Sequence, residues 1–247
     1  MPLASGGTVE LDPAAARHAQ VLRLQPGDPL RLFNGLGTAK AEAEAEGDYL
    51  AVVLAMGRSS VSVSVGAFAP TQCEAAVAVH IALGMPANDR MDWLVEKATE
   101  LGVTSISPLM TERSVLRLSG ERADKKLAHW RAVAQAACEQ CGRSRVPVIH
   151  PLSSFNAYVQ AAAQESKAAN STRLLLSLQP DSQTLTGRLG THTVLSLLSG
   201  PEGGLSAAEE SQAQAAGFLP LTLGPRVLRA ETAPLAALAY LQLHGGR

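Results

Sequence analysis

The feature that most constrains this chain is a change of rhythm at Val77. Beyond it, short and nearly continuous apolar runs alternate with stretches of helical spacing. VAVHIALG (77–84) is followed by ANDRMDWLVEKATELG, with Met91, Leu94, Val95, Ala98 and Leu101 on one stripe, and then by SISPLMT (105–111). An unbroken apolar run suits a strand covered on both faces, and spacing of three and four suits the helix that covers it. The pattern continues through a long helix over 121–141, VPVIHPL (146–152), a helix from about Ser154, TRLLLSLQ (172–179), HTVLSLLSG (192–200), SAAEESQAQAAG (206–217), LPLTLG (219–224) and TAPLAALAYLQLHG (232–245). Strand–helix alternation predicts an α/β domain with a mostly parallel sheet over 71–247. Asn88 or Asp89 is placed to cap its first helix and Gly102 to stop it.

Before Val77 the period is two. A short helical stretch (11–24) and a QPGD turn lead into PLRLFNG (29–35), TAKAEAEAE (38–46), YLAVVLAM (49–56) and SVSVSVG (60–66), with AFAPTQCE (67–74) as a connector. Alternating runs broken by Gly or Asp predict a small antiparallel sheet or barrel over 1–70. TAKAEAEAE is also helical by propensity, but its strict alternation favours an exposed strand. No internal repeat is present. Aromatic residues make up only 4% of the chain, so Ala, Leu and Val must build the core.

A formal net charge of −1 argues against a general nucleic-acid coater. Locally the balance differs. Residues 110–150 carry eight basic side chains (Arg113, Arg117, Arg122, Lys125, Lys126, Arg131, Arg143, Arg145) against four acidic ones. Such a patch suits docking on a particular polyanion, or is a solvated helix face. Three cysteines, Cys73, Cys138 and Cys141, cannot close a disulfide framework, and no signal-type or 18-residue apolar segment is found, which predicts a cytosolic protein. The CEQC of 138–141 lacks a second ligand pair for zinc and lies late in a helix, where spacing of three predicts packing on one face. The histidines show no metal-ligand spacing; His18 and His129 read as packing residues, and the partial GxG at Gly35-Leu36-Gly37 carries no signal.

Two Gly-Pro loops follow predicted strands: SGPEGG (199–204) and LGPRVLRAET (223–232). The first lacks the Gly-Lys-Ser/Thr ending of a phosphate loop, and neither is a GxGxxG fingerprint. Ligands of open α/β sheets bind at strand carboxyl ends, where rigid turns expose N–H and C=O groups and where Leu198, Leu223 and Leu228 could wall a ring. Two ordinary strand-to-helix turns would read the same way.

The combination GPEGGLSAAEE with LGPRVLRAETA, together with MDWLVEKATELGV, SPLMTERS, KKLAHWRAVAQAACEQCGR and SRVP, resembles the ribosomal RNA small subunit methyltransferase E family of the SPOUT superfamily over most of the chain. The resemblance implies a PUA-like β-barrel followed by an α/β domain with a deep trefoil knot. It also implies a homodimer and S-adenosylmethionine-dependent methylation of uridine N3 in the 16S RNA of the small ribosomal subunit. Carried over, the cofactor would be lined by Leu178, Leu198, Gly200, Pro201, Glu202, Gly203 and Gly204 from one side. Leu223, Gly224, Leu228, Arg229, Glu231, Thr232 and Ala233 would line it from the other. The family usually begins with several more basic and aromatic residues than MPLASGG provides, and Pro234 falls where a helix tolerates it.

Methylating N3 requires the methyl donor in line, a route for the imide proton and donors for charge on the uracil carbonyls. Positioning alone supplies on the order of 7–11 kcal/mol in favourable cases. The expectation is that Arg229 supplies positive potential and that Glu231 or Glu202 accepts or orients the proton; helix capping is the structural alternative for both glutamates. Arg113, Arg117, Lys125, Lys126, Arg143 and Arg145 are the candidate RNA-phosphate contacts, and the target uridine must leave its stack. A different SPOUT modification, or a non-catalytic RNA-binding assembly factor, are the competing readings.

Overall fold

The computed structural model describes residues 3–35, 38–39, 42–71, 73–87, 89–165, 170–180, 182–185 and 193–245. It divides into two units, Met1–Glu74 with Gly142–Val146, and Ala75–Cys141 with Pro147–Arg247.

In the first unit, β1 (Thr8–Glu10), β2 (Pro29–Leu32), β3 (Thr38–Ala39), β4 (Glu42–Met56) and β5 (Val61–Pro70) form an antiparallel sheet in the order β1-β5-β4-β2, with β3 on β4. No closing pair joins β1 to β2 among the described residues. The helix α1 (Pro13–Val21) is capped by Asp12, whose carboxylate accepts the Ala14 and Ala15 amides at 2.9 and 3.0 Å. Its Ala16 and Ala19 pack on Ala51, Val53, Val61 and Val63. Two expectations need correction. The break expected at Gly47-Asp48 is instead continuous strand, because a glycine there lets β4 run close against Phe68 and Pro70 of its neighbour. For the same reason β5 runs on through residues read as connector. The segment 142–146 joins this unit through a Val146 amide on the Gly35 carbonyl at 3.0 Å and a bidentate ion pair of Arg143 with Glu74, at 2.8 and 2.5 Å. Leu36 and Gly37 lie outside the described residues.

The second unit carries the parallel sheet. Its strands are β6 (Ala78–Gly84), β7 (Ser105–Met110), β8 (Val148–Ile149), β9 (Ser153–Ser154), β10 (Ser171–Leu176), β11 (Gln183–Thr184), β12 (Val194–Ser199) and β13 (Leu219–Thr222). They run in the order β11-β13-β10-β12-β6-β7-β8, all parallel, with β9 on β7. The helices are α2 (Asp89–Glu100), α3 (Gly120–Cys141), α4 (Phe155–Gln164), α5 (Ala207–Ala215) and α6 (Thr232–Gly245). One sheet face is covered through Ala82, Leu109, Leu175 and Leu198 packing on Phe155, Val159, Ala213 and Phe218 of the α4–α5 side.

Of the stripe read on α2, Met91, Leu94, Val95 and Ala98 are buried and Leu101, just past the helix, is half-buried; Gly102 stops the helix at φ +85°, in the left-handed region. Asp89 lies inside the first turn, and Asn88 lies outside the described residues. His129 is not a packing residue. With Trp130 it binds the two oxygens of Asp92, each at 2.9 Å, which ties α3 to α2. Cys138 is buried in α3 and Cys141 is half-buried. No helix among the described residues is long and apolar enough to cross a membrane.

His80 on β6 bonds the Ser105 hydroxyl through Nδ1 at 2.7 Å. Burial, reinforced by His150 and opposed by Glu165, holds its pKa below the ordinary 6.5. The unfolded chain therefore binds more protons than the folded one between that depressed value and 6.5, and stability falls as pH drops through this window. Thermal melts between about pH 5 and 7.5 should show this slope in the wild type and a flatter one in His80→Asn.

Candidate functional site

Strands β10, β12 and β13 are neighbours, and their carboxyl ends open on one cavity of about 680 Å³. Open parallel sheets bind ligands at this edge, since the backbone leaves the ladder there and can face outward.

The loop after β12 is shaped by what it excludes. A Cβ on Gly200 would stand 2.6 Å from the Gly204 carbonyl carbon and the Leu205 nitrogen, so only glycine lets this turn close on itself. A Cβ on Gly84 would stand 2.7 Å from the Pro201 nitrogen, so the strand end is glycine as well. Gly204 has φ +67° and donates to the Pro201 carbonyl at 2.8 Å. Arg113 then fastens the loop, with Nη1 donating to the Gly203 carbonyl at 2.9 Å and the Leu205 carbonyl at 3.3 Å. Ser206 and Glu209 form a capping box at the start of α5, and the other Glu209 oxygen accepts the Glu112 amide at 2.8 Å.

The segment after β13 turns at Gly224, φ +108°, and reaches α6 through amides of Thr232 and Ala233 donated to the Arg229 carbonyl at 3.0 and 3.1 Å. Arg90, at the start of α2, connects the two loops. Its Nη1 lies 3.2 Å from Glu202 Oε1 and its Nε 4.0 Å from Glu231 Oε1. Glu202 Oε1 also accepts the Ala87 amide at 2.9 Å. Glu231 is buried, and its Oε2 has no hydrogen-bond partner among the described residues. Charge balance at this buried carboxylate rests on Arg90.

Ten of the residues expected at the cofactor line this cavity: Leu178, Gly200, Pro201, Glu202, Gly203, Gly204, Leu223, Leu228, Arg229 and Ala233. Four do not. The Leu198 side chain points into the core and is fully buried there, while Gly224, Glu231 and Thr232 belong to the second segment without lining the cavity. Sequence reasoning missed Arg90, Ser177, Ser199, Glu210, Arg226 and Val227, which also line it. Ser177 and Ser199 sit at strand ends, so the carboxyl-edge rule could have found them. Arg90 could not be found that way, because it reads as an ordinary first-turn residue far from both loops.

The basic patch is dispersed. Arg143 is buried against Glu74 and unavailable to a phosphate. Arg113 is spent on loop carbonyls, Arg117 donates to the Glu112 carbonyl at 3.1 Å, and Lys125 lies 3.6 Å from Glu121. Lys126 is half-buried, and Arg145 is exposed in the first unit. Of the eight basic side chains of 110–150, Arg113, Arg117, Arg131 and Arg143 donate to acceptors of the chain itself.

The sequence matches the family described as RNA methyltransferase domain over residues 73–242, and that described as RNA methyltransferase PUA domain over 11–65. The chain belongs to the ribosomal RNA small subunit methyltransferase E family. The member from Bacillus subtilis is 32% identical over 176 residues, 68% of this chain and 66% of that protein; for the Synechocystis member the figures are 34%, 69% and 54%. These alignments thus span just under two thirds, and about half, of the relatives' own lengths. The solved structure of the Neisseria gonorrhoeae methyltransferase E bound to S-adenosyl methionine matches with TM-score 0.85 and 34% identity, covering 98% of this chain and 95% of that one. A Legionella pneumophila structure with bound SAM matches with TM-score 0.87 and 33% identity, over 99% and 95% of the two chains.

The cavity of this family member suits such a group. Its volume is in the range of small-molecule sites, and its glycine turn brings backbone to the surface. It also holds a buried Ser199 hydroxyl with no hydrogen-bond partner among the described residues. Gly200→Ala should destabilise the chain by about 1–3 kcal/mol through overpacking, and calorimetry should show S-adenosylmethionine affinity lost with it. Arg90→Gln should lower thermal stability by leaving Glu231 without a counter-charge, and adding Glu231→Gln should restore part of that loss.

Proposed function

We propose that this chain methylates N3 of a uridine in the 16S RNA of the small ribosomal subunit, with S-adenosylmethionine held between the Gly200–Gly204 turn and the Leu223–Ala233 segment. One observation carries the reading: two loops separated by a strand and a helix meet over three adjoining strand ends, around a single cavity. Backbone from the first loop, Ser199 and the side chains of Leu178, Leu223 and Leu228 would hold the cofactor there. Bound in this way, the cofactor supplies an electrophilic methyl group.

The protein's own share is positioning and charge. Arg229 is exposed, lines the cavity and supplies positive potential where negative charge grows on the uracil carbonyls. Glu202 lines the same cavity, but one of its oxygens already accepts from Ala87 and Arg90. Glu231 does not line the cavity and keeps a buried oxygen without a partner among the described residues, so it acts as an orienter through Arg90, and Glu202 is the carboxylate placed to accept the proton. The antiparallel first unit, placed by the sequence at 1–70, serves as the RNA-binding domain. The return of the chain from β13 through 223–231 to α6, which packs on α2 and β12, supports the knotted path that the family resemblance implies. We further place the protein in the cytosol as a homodimer, consistent with free cysteines and with a helix α6 that is apolar nearly all round.

Two measurements test this. Mass mapping of ribosomal RNA from cells with and without the protein should show one methylated uridine that depends on it. Arg229→Ala should bind S-adenosylmethionine yet lower kcat about 10²–10³-fold; transfer at the wild-type rate would remove the arginine from the chemistry.

A further inference from the structure

Four arginines line the cavity, and the structure divides them into two kinds. Arg90 is engaged by Glu202 at 3.2 Å and Glu231 at 4.0 Å, and Arg113 by the carbonyls of Gly203 at 2.9 Å and Leu205 at 3.3 Å. Both are fastened to the protein's own acceptors. Arg226 and Arg229 are exposed, and their guanidinium groups make no hydrogen bond or ion pair among the described residues. Both belong to the same segment, three positions apart. Between them Val227 is 78% exposed, and it too lines the cavity.

An exposed valine between two unpaired cations, at the mouth of a site, has a cost in a surface that only meets water. Arginines without acceptors seek planar oxyanions, and their stems and a neighbouring apolar side chain can cover the non-polar surface of a sugar or base. A nucleotide offers both features: phosphodiester oxygens at its ends and an apolar ring face between them. The basic residues of 110–150 compete poorly for that task, because Arg113, Arg117 and Arg143 are spent internally.

We infer that Arg226 and Val227 form, with Arg229, the subsite for the RNA strand at the cavity mouth. Arg226 takes a backbone phosphate, and Val227 packs against the nucleotide that enters. The inference rests on the methyl-transfer reading above and deepens it by naming where the polynucleotide lies. Phosphate contacts position without reading sequence, so this subsite fixes how the strand crosses the mouth rather than which uridine is chosen.

The test uses the full chain, small-subunit ribosomal RNA transcribed in vitro, and S-adenosylmethionine. Arg226→Gln should weaken RNA binding about fivefold or more at low salt and reduce the salt slope of log affinity by about one. Affinity for S-adenosylmethionine should stay within about twofold, since a phosphate contact at the mouth does not touch the cofactor. Val227→Ser should raise the KM for RNA with the salt slope unchanged. Lys125→Gln combined with Lys126→Gln, on α3, should leave the slope as it is. An unaltered slope in Arg226→Gln, or a slope carried by the two lysines, overturns the subsite. So does a parallel loss of cofactor affinity in Arg226→Gln. A wild-type chain that binds RNA but no S-adenosylmethionine defeats the methyl-transfer reading instead, and one that binds no RNA defeats both.

Discussion

A carboxylate from each of two loops reaches toward one guanidinium, and the site depends on that meeting. Glu202 comes from the turn after β12 and Glu231 from the approach to α6, while Arg90 comes from α2 on a third part of the chain. Glu202 is exposed and would lose little without its partner, because an ion pair in water contributes little. Glu231 is buried, and a buried charge without compensation costs several kcal/mol. The arrangement therefore anchors the second loop more strongly than the first. The first loop holds its shape by steric exclusion, since Gly200 closes a turn that no side chain could enter, and Arg113 ties its carbonyls down.

This division explains why a largely aliphatic protein places so much of its charge near one sheet edge. The core needs no polar help: Leu174, Leu175, Leu197 and Leu198 bury completely on adjoining strands. At the carboxyl edge the backbone leaves the ladder, its carbonyls need donors, and arginines provide several bonds from one rigid group. Arg113, which reads along the sequence as part of a basic patch for an external polyanion, serves the internal satisfaction of that edge.

The fold was legible where period decided it. Continuous apolar runs at 77–84 and 194–199 became central parallel strands, and the apolar stripe of α2 became a buried face of a helix that packs with α3 and α6. Strand breaks were less legible. Gly47 looked like a stop and turned out to be a close approach, since a glycine in a strand has the same spelling in both cases. The cavity walls were legible through the two Gly-Pro loops, but not the residues that meet them from elsewhere. Arg90 lies more than a hundred positions from Glu202, and no local pattern encodes so distant a partner. The side-chain direction of Leu198 was hidden for a related reason: alternation along β12 turns it to the α4–α5 face, which leaves only its backbone for the ligand edge.

The five residues 142–146 are the last structural component of the amino-terminal unit, although nearly seventy residues of the other unit are synthesised before them. Until they leave the ribosome, Glu74 has no guanidinium to neutralise it and the Gly35 carbonyl lacks its amide donor. Completion of the small unit thus follows synthesis of the first part of the large one. In a nascent polypeptide of this kind the first unit gains these last contacts only after part of the second has been made.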